Sequence, residues 1–482
     1  MKANGTDAPY RYLRLADEIE GQIREGVFRA GEKLPSIRKL KSVTGFSLTT
    51  VYQAFVELEG RGLVEPRLKS GFYVKPVLHR LLPPPRLRRH RAVPRRVSVS
   101  NIALSVVEAM GDPSMLRLGG TATAPELLPT RQLNAIVRSL SSRRMADLIA
   151  TYENPAGNLA LRREIAKRSI ELMHRIDAED VLVTNGCLEA VSLCLRAVAR
   201  AGDAVVVESP TYPWFLQLIK DLNMYALEVP TDPGTGIALD SLMQAIDAND
   251  VKACLLVPNF NNPMGCLMPE EKKRSLVSFL NERKIPVIED DIHGDLYFGR
   301  SRPGTLKAYD RRGLVLYCSS FSKTLAPGFR IGWVLAGRFS ERVRRLKMNT
   351  SVSSPTLTQY VVAEFLKAGA YDRHLRRLRA ALRNQASDVA LAASRHLPED
   401  TRITSPDGGL TLWVELNPAV DGLEVFHAAK AEGIAILPGS MCSGTKRFRN
   451  YIRLSFGLPW SEAVNRGIRR LGEIVKGLAA CG

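Results

Sequence analysis

The 482-residue chain lacks the features that mark a membrane-spanning or a secreted protein. No apolar run approaches the roughly 20 residues that a membrane-spanning helix needs. The start, MKANGTDAPYRYL, has no apolar segment of the kind found in signal peptides, so we expect no secretion signal. The seven cysteines show no C-x-x-C spacing and the seven histidines are dispersed. These absences predict a cytoplasmic protein without a disulfide framework, a metal site or a membrane partner.

Acidic residues are absent from one segment of a chain that is otherwise strongly basic. The formal net charge is +19, which favours a polyanionic partner. Residues 75–98 hold eight Lys or Arg and no Asp or Glu. The segment is also rich in proline, which predicts an extended linker over residues 76–112 between two domains. We expect this linker to be solvated, to lie along DNA phosphates, or both.

Residues 1–75 have the pattern of three short helices followed by a hairpin. Apolar residues recur every four positions from Leu15, Ser36 and Ser47 are placed to cap the next two helices, and LVEPRLKSGFYVKP has the form of two short strands. This order predicts an α+β winged helix-turn-helix that binds double-stranded DNA with its third helix in the major groove. A three-helix scaffold with a solvated basic face is the alternative. The candidate DNA contacts are Arg38, Ser47, Thr49, Thr50, Gln53, Arg67 and Lys69.

The sequence motifs of this segment are more specific evidence for its fold than the helix pattern is. GVFRAGEKLPSIRKL, FSLTTVYQAFVELEGRGLVEPR and SGFYV resemble the GntR-type DNA-binding domain over nearly all of residues 10–75. Leu48 stands where such domains commonly carry an arginine. A bidentate contact between arginine and guanine can discriminate between bases by about 1–3 kcal/mol. The resemblance therefore implies DNA binding but no particular operator sequence.

Residues 113–482 alternate short β-branched runs with helical patterns. DVLVTNG precedes the helix CLEAVSLCLRAV, and DAVVVESP, ACLLVPNF, IPVIEDD and LVLYCSS follow as buried strands. This alternation predicts an α/β domain with a mainly parallel sheet. Functional groups in such domains gather where the strands end, so side chains at those positions are the candidates for a site.

The stretch SSFSKTLAPGFR follows one of these strands and combines an amine with groups suited to a phosphate. Serine hydroxyls and an arginine fork bind a phosphate dianion, and backbone amides at a helix start hold the same group. Lys323 could form a Schiff base with an aldehyde. Pyridoxal 5′-phosphate (PLP) has both the phosphate and the aldehyde. The candidate phosphate ligands are Ser320, Ser322, Arg330, Gly186 and Cys187.

Three further side chains at strand ends suit the ring of PLP. Asp290 would keep the pyridine nitrogen protonated, Asn262 would meet the ring 3′-oxygen, and Tyr212 would cover one face of the ring. Singly, they could be a helix cap, a turn residue and a core residue. Together, and in this order, they indicate a PLP site whose candidate catalytic residues are Lys323, Asp290 and Tyr212.

Sequence motifs that include these residues resemble fold-type I aminotransferases of class I/II across roughly residues 115–475. The matching phrases are TYENPAGNLALRREIA, TNGCLEA, SPTYPW, PNFNNPMG, VIEDD, SSFSKTLAPGFRIGW, GGLTLWVEL and YIRLSFG. The resemblance implies a large and a small subdomain and a homodimer in which Tyr152 reaches the phosphate of the neighbouring subunit's cofactor. It also implies that Arg453 clamps the α-carboxylate of an amino-acid substrate or effector. His293, whose imidazole ordinarily has a pKa near neutrality, stands where this family usually has a tyrosine that bonds the ring 3′-oxygen.

A GntR-type domain, a basic linker and an aminotransferase-like domain in one chain resemble the MocR family. The resemblance implies a nucleoid-associated transcriptional regulator that binds PLP and senses PLP, an amine or an amino acid. Two alternatives remain from the sequence: a working aminotransferase with an accessory DNA-binding head, and a DNA-binding protein whose large domain only dimerises. The sequence leaves open the effector and the regulated genes.

Overall fold

The computed structural model describes residues 10–29, 31–67, 70–75, 82–97, 102–172, 176–445 and 447–481; the predicted DNA contact Lys69 lies outside them. The helices are α1 Arg11–Glu25, α2 Ile37–Thr44, α3 Leu48–Gly60, α4 Ile102–Gly111, α5 Thr130–Ala150, α6 Leu159–Arg168, α7 Cys187–Val198, α8 Pro213–Asp221, α9 Leu239–Ala248, α10 Glu270–Arg283, α11 Ser340–Ser351, α12 Thr356–Lys367, α13 Ala370–His396, α14 Gly422–Ala431 and α15 Glu462–Cys481. The strands are β1 Val64–Arg67, β2 Gly71–Val74, β3 Val181–Thr184, β4 Ala204–Ser209, β5 Tyr225–Asp232, β6 Gly236–Ile237, β7 Val251–Leu256, β8 Val287–Asp290, β9 Val315–Ser320, β10 Gly332–Leu335, β11 Arg402–Ile403, β12 Thr411–Glu415, β13 Leu437–Pro438 and β14 Tyr451–Ser455. No helix in these ranges is long and apolar enough to cross a membrane.

The N-terminal head is built as the sequence predicts, from α1 to α3 and the hairpin of β1 and β2. Ser36 and Ser47 cap α2 and α3, because their hydroxyls accept hydrogen bonds from the backbone amides of Lys39 and Thr50 at 3.2 and 3.1 Å. α1 packs on α3, and the apolar stripes of the two helices form one buried cluster that includes Leu15 and Phe55. β1 and β2 pair antiparallel as the wing.

The large subdomain is centred on one sheet, in which eight described strands follow the order β3-β10-β9-β8-β7-β4-β5-β6. Strands β9, β8, β7, β4 and β5 run parallel, while β10 is antiparallel to both of its neighbours. Val205 and Val207 enter one buried cluster and Val206 enters another, because successive side chains of a strand point to opposite faces. Both faces of the sheet are therefore buried.

The small subdomain contains a second sheet, in which the described strands have the order β11-β12-β14-β13. α13 and α15 pack together over its core, which includes the buried Trp413 and Phe426. β14 carries Arg453 in register with Trp413 of β12. The sheet thus brings a residue from near the end of the chain towards the large subdomain.

The basic segment differs from the expected solvated linker. Arg95 pairs its backbone with Ala226 of β5 in both directions, at 2.9 and 3.0 Å. Arg88 donates hydrogen bonds to Glu415 at 3.4 Å and to Asn450 at 3.1 Å. Residues 102–111, which the sequence placed in the linker, form helix α4 and bury Val106. Residues 82–97 therefore lie against the large domain, because that domain supplies carboxylate and backbone partners for the segment.

The head also contacts the large domain through α13 and the loop after β8. Arg383 donates to the carbonyl oxygen of Gly60, and Lys75 donates to the side chain of Asn384 at 3.1 Å. Arg300 forms an ion pair with Asp17 of α1. One of these three contacts is an ion pair and the other two join a cationic side chain to a neutral acceptor, so the ion pair is the one most exposed to screening by salt.

Candidate functional site

The predicted site residues come together at the carboxyl edge of the parallel strands. Residues from the ends of β7, β8 and β9 and from the starts of α7 and α8 line one cavity of about 270 Å³. The predicted residues in its lining are Cys187, Tyr212, Asn262, Asp290, His293, Ser322, Lys323 and Arg330. Ser320 and Gly186 lie directly behind this lining, since Ser320 bonds Ser322 and Gly186 contacts Arg330. Two further predicted residues lie outside this lining: Arg453, which lines a neighbouring cavity, and Tyr152, which is 89% exposed.

The phosphate-binding residues form a cradle at the start of α7. Gly186 has a φ of +86°, and a Cβ atom at this position would collide with Nη2 of Arg330. Nη2 of Arg330 donates to the carbonyl oxygen of Asn185 at 3.1 Å. The Ser320 and Ser322 hydroxyls are 2.8 Å apart. Only glycine leaves room for the guanidinium here, so the exposed arginine can face an anion together with the free amides of α7.

Lys323 is half-buried directly after β9, and its amine is easier to deprotonate than that of a surface lysine. Burial lowers the pKa of Lys323 to about 8, and the nearby Arg453 lowers it further while Asp290 opposes the shift. Its backbone is held in place because the hydroxyl of Thr123 donates to its carbonyl oxygen at 2.6 Å. The residue therefore offers a nucleophilic amine near neutral pH.

Asp290 is buried at the end of β8 and makes two hydrogen bonds. The backbone amide of Ile292 donates to its Oδ1 at 3.0 Å, and the Cys187 thiol donates to the same atom at 3.3 Å. Burial raises the pKa of Asp290 to about 6, while these two hydrogen bonds oppose the shift. A cation against the carboxylate would restore its ionised form, which is the partnership that a protonated pyridine nitrogen provides.

His293 is buried and stays neutral. Its Nδ1 lies 3.2 Å from the carbonyl oxygen of Phe260, and Nε2 is buried without a hydrogen-bond partner among the described residues. Burial lowers the pKa of His293 to about 3, and the charge of Lys323 adds to this effect. Nδ1 carries the proton if it donates to the carbonyl, which leaves Nε2 as an acceptor.

Arg453 is a buried cation, and no carboxylate in the described part of the chain pairs with it. Its Nη1 donates to Oδ1 of Asn262 at 2.8 Å, and its Nη2 donates to the carbonyl oxygen of Gly119 at 2.7 Å. Its Nε has no partner among the described residues. Burial lowers the pKa of Arg453. A buried guanidinium without a counter-ion is costly, so the site is built to receive an anion. The bond to Asn262 occupies the amide oxygen and leaves its Nδ2 to donate.

Several residues of the site were missed by the sequence reasoning. Thr121 and Trp214 line the cavity, and the Cys187 side chain bonds Asp290 in addition to the predicted role of its backbone. Tyr212 packs edge-on against Phe215, and burial raises the pKa of Tyr212 to about 12, so its hydroxyl stays protonated. Trp214 belongs to the SPTYPW stretch, two residues after the predicted Tyr212, and could have been found there. Thr121 follows no strand and gave no signal.

Most of the candidate DNA contacts in the described part of the head are exposed. Arg38, Ser47, Thr49 and Gln53 are exposed. Thr50 is half-buried, and its hydroxyl lies 2.8 Å from that of Ser47. On the wing, Arg67 stacks 4.1 Å from the ring centre of Tyr73. Leu48 and Tyr52 are also exposed, at 50% and 52%, at the start of α3. The solvent-facing part of α3 thus joins apolar and hydroxyl groups, which suits contacts with thymine methyl groups and phosphates.

The geometry agrees with two family matches. Residues 124–471 match the family described as aminotransferase class I and II, and residues 11–74 match bacterial regulatory proteins of the gntR family. The chain belongs to the class I and II aminotransferases. It is 36% identical over 467 residues to YdcR of Escherichia coli (strain K12), an uncharacterized HTH-type transcriptional regulator, with 97% of this chain and 99% of that protein covered.

A transaminase and a solved aminotransferase structure match a smaller share of the chain. A 2-aminoadipate transaminase of Thermus thermophilus is 31% identical over 76% of this chain and 92% of its own length. The crystal structure of LysN, an alpha-aminoadipate aminotransferase from Thermus thermophilus complexed with N-(5′-phosphopyridoxyl)-L-leucine, gives a TM-score of 0.74 at 29% identity, covering 80% of this chain and 97% of that chain. The chain therefore has the MocR arrangement, in which a gntR-type head is joined to a PLP-dependent aminotransferase fold.

Proposed function

We propose that this MocR-type chain is a transcriptional regulator whose affinity for DNA responds to PLP, or to an amino compound that reaches PLP in the large domain. The observation that carries the proposal is the union, in one chain, of an exposed recognition helix with a cavity that holds Lys323 and Arg453. The likeness to a regulator along the full length favours this function over that of an enzyme with an accessory head.

PLP fits the described groups of the site. When bound, PLP supplies an aldehyde that condenses with a primary amine and a ring that withdraws electrons from it. Lys323 would provide the amine, and Asp290 would stabilise a protonated ring nitrogen. Arg330 and the start of α7 would hold the phosphate. Nδ2 of Asn262 would donate to the ring 3′-oxygen. The neutral His293, whose Nδ1 proton goes to the carbonyl oxygen of Phe260, would offer only an acceptor nitrogen there.

The proposed effector is an amino compound with a carboxylate. The buried Arg453 without a counter-ion supports this class, because a carboxylate would neutralise it through a bidentate hydrogen bond. The crystal structure of LysN, with its phosphopyridoxyl-L-leucine, supports an amino acid in the same position. A ligand can alter DNA binding only if its affinity differs between two arrangements of the protein. The ionic contact between Arg300 and Asp17 would be one contact that distinguishes them.

We also propose that the chain works as a homodimer in the cytoplasm. Ile149 and Tyr152, at the end of α5, are 75% and 89% exposed, and these apolar side chains would be covered by a second copy. Tyr152 would then reach the partner's phosphate. We expect sedimentation equilibrium to give about twice the 53.3 kDa chain mass. A monomer at micromolar concentration that still binds PLP tightly would argue against shared sites.

The central test is the binding of the full chain to a DNA fragment from its own promoter region, with and without PLP. We expect the apparent dissociation constant to change at least about 5-fold on adding PLP, the size of a modest allosteric coupling. Steady turnover of an amino donor with a keto acid, without any effect on DNA binding, would instead favour an enzyme. Unchanged DNA binding together with no PLP absorbance would favour the alternative in which the large domain only dimerises.

A further inference from the structure

A second cavity of about 520 Å³ lies beside the cofactor cavity. The two cavities share Thr121, Tyr212, Trp214 and Lys323 in their linings. Arg453 lines the second cavity but not the cofactor cavity. Its volume is within the range of pockets that hold small ligands. An amino acid with its carboxylate on Arg453 and its amine near Lys323 would therefore direct its side chain into this second space.

The walls of the second cavity are mostly apolar. Helix α4 contributes Val106, Val107 and Met110, and more distant parts of the chain contribute Leu437 and other apolar side chains. Val106 and Leu437 are buried, whereas Val107 is 48% exposed. An apolar ligand would remove this surface from water, at about 25 cal/mol for each Å² of apolar area that it buries.

Charged groups in the second cavity are few and of one sign. Its described lining contains no Asp or Glu, and its cations are Lys323, Arg453 and Arg117. A second ammonium group on the ligand would therefore be repelled. A second carboxylate would have only Arg117 in reach, and that side chain is exposed, where an ion pair contributes about 0–1 kcal/mol.

We propose that the second cavity selects an α-amino acid with an apolar side chain of about the size of leucine, methionine or phenylalanine. This inference rests on the proposed function and adds the class of the effector. It assigns side-chain selection to α4, which is held in place because Lys430 donates to the Ser105 hydroxyl at 2.8 Å.

The position of α4 in the chain gives the selection a path to the head. α4 follows the basic segment, and Arg95 of that segment is paired with β5. A ligand side chain against Val107 therefore touches the first element of the large domain after the head and its linker. Ligands that fill this space would bias the position of α4, whereas L-alanine would reach only the groups shared by every amino acid.

The experiment titrates the PLP-loaded full chain with L-leucine, L-methionine, L-alanine, L-glutamate and L-lysine. Tryptophan emission is the readout, because Trp214 lines both cavities, and PLP absorbance is recorded alongside it. We expect L-leucine and L-methionine to bind at least about 10-fold more tightly than L-alanine, as expected for several methylene groups in an apolar pocket. L-glutamate and L-lysine should bind more weakly than L-leucine.

Two matched substitutions on α4 separate the cavity wall from the helix itself. Val107→Asn places a polar amide in the wall and should reduce the affinity for L-leucine about 10-fold, while the affinity for L-alanine changes little. Leu104→Asn makes a similar change at a position that is 66% exposed and outside the described lining, and should have no effect. Both variants should keep the PLP absorbance of the native chain.

The outcomes distinguish this inference from the function on which it rests. Equal or tighter binding of L-alanine, L-glutamate or L-lysine would overturn the apolar selection while leaving an amino-acid sensor in place. Equal losses in Val107→Asn and Leu104→Asn would also overturn it. A chain that takes up PLP but binds none of the five amino acids would remove both the selection and the amino-acid form of the proposed function.

Discussion

Lys323→Ala should abolish covalent capture of PLP. Borohydride treatment of the PLP-loaded native chain should add the mass of one reduced cofactor, and the variant should gain none. Lys323 is the sole lysine among the described residues that line the two cavities, and the arginines there are too basic to condense with an aldehyde. Intact-mass spectrometry measures the result directly. The response of DNA binding to PLP should be lost with it, while binding to DNA without PLP should persist because the head is separate.

The rate of this capture should depend on pH in a direction set by the lysine. Only the neutral amine attacks an aldehyde, and the pKa of Lys323 is lowered to about 8. The rate should therefore rise as the pH increases from about 7 to 9 and then level off. A surface lysine, with its pKa near 10.4, would still be rising there.

The control for capture is Lys252→Ala. Lys252 is an exposed lysine near the start of β7 that pairs with Asp250 at 2.6 Å and lies outside the described lining of both cavities. This variant should keep the mass gain and the pH profile of the native chain. Capture that persists in Lys323→Ala, with a rate still rising at pH 9, would show that another amine reacts and would remove the basis for the sensor.

Much of the cofactor site could be predicted because its residues end strands or start helices. In a parallel sheet those positions meet at one edge, so Asp290 and Lys323 come together wherever the helices between them run. The register adds the phosphate cradle, since Gly332 of β10 faces both Ser320 and Thr184. Short sequence motifs were sufficient to predict these site residues, because the topology of the fold brings the strand ends together.

The remaining features depend on contacts between distant residues and could not be predicted. The Cys187 thiol donates a hydrogen bond to Asp290, which lies 103 positions later in the sequence, and no local pattern predicts such a pair. The basic segment was expected to be solvated from its composition, but Glu415 and β5 supply partners for it that only the folded domain brings into reach. The pKa of His293 was expected to lie near neutral pH, yet burial lowers this pKa to about 3 and so keeps the imidazole uncharged.

The structural role of Arg61 could not be predicted from the sequence, because its partners lie on two different helices. In the Arg61→Ala variant, the head should unfold at a lower temperature than in the native chain. Its guanidinium reaches three carboxylates: Asp17 at 2.7 Å, Glu20 at 2.6 Å and Glu57 at 2.9 Å. Its side chain is 10% exposed. Alanine would leave three acids clustered between α1 and α3 without the cation that separates them, so their mutual repulsion would oppose the packing of the two helices.

The expected loss is about 2 kcal/mol in the free energy of unfolding of the head. That is below the roughly 3–5 kcal/mol of a fully buried pair, because the three carboxylates remain partly exposed and Arg300 still pairs with Asp17. For a domain of this size, the loss lowers the melting temperature by roughly 10 °C. All four tryptophans lie beyond the head, so tryptophan emission reports the large domain alone and should be unchanged.

Arg67→Ala is the matched control, since it removes an arginine from the same head by a different route. Arg67 is exposed and pairs with Glu65 at the surface, so its loss should change stability by less than about 1 kcal/mol. As a proposed phosphate contact, it should weaken DNA binding at both 10 and 37 °C and reduce the salt dependence by about one phosphate. Arg61→Ala should bind DNA normally at 10 °C and poorly at 37 °C. If both variants lost affinity equally at 10 °C, Arg61 would be acting on DNA and not on the packing of α1 against α3.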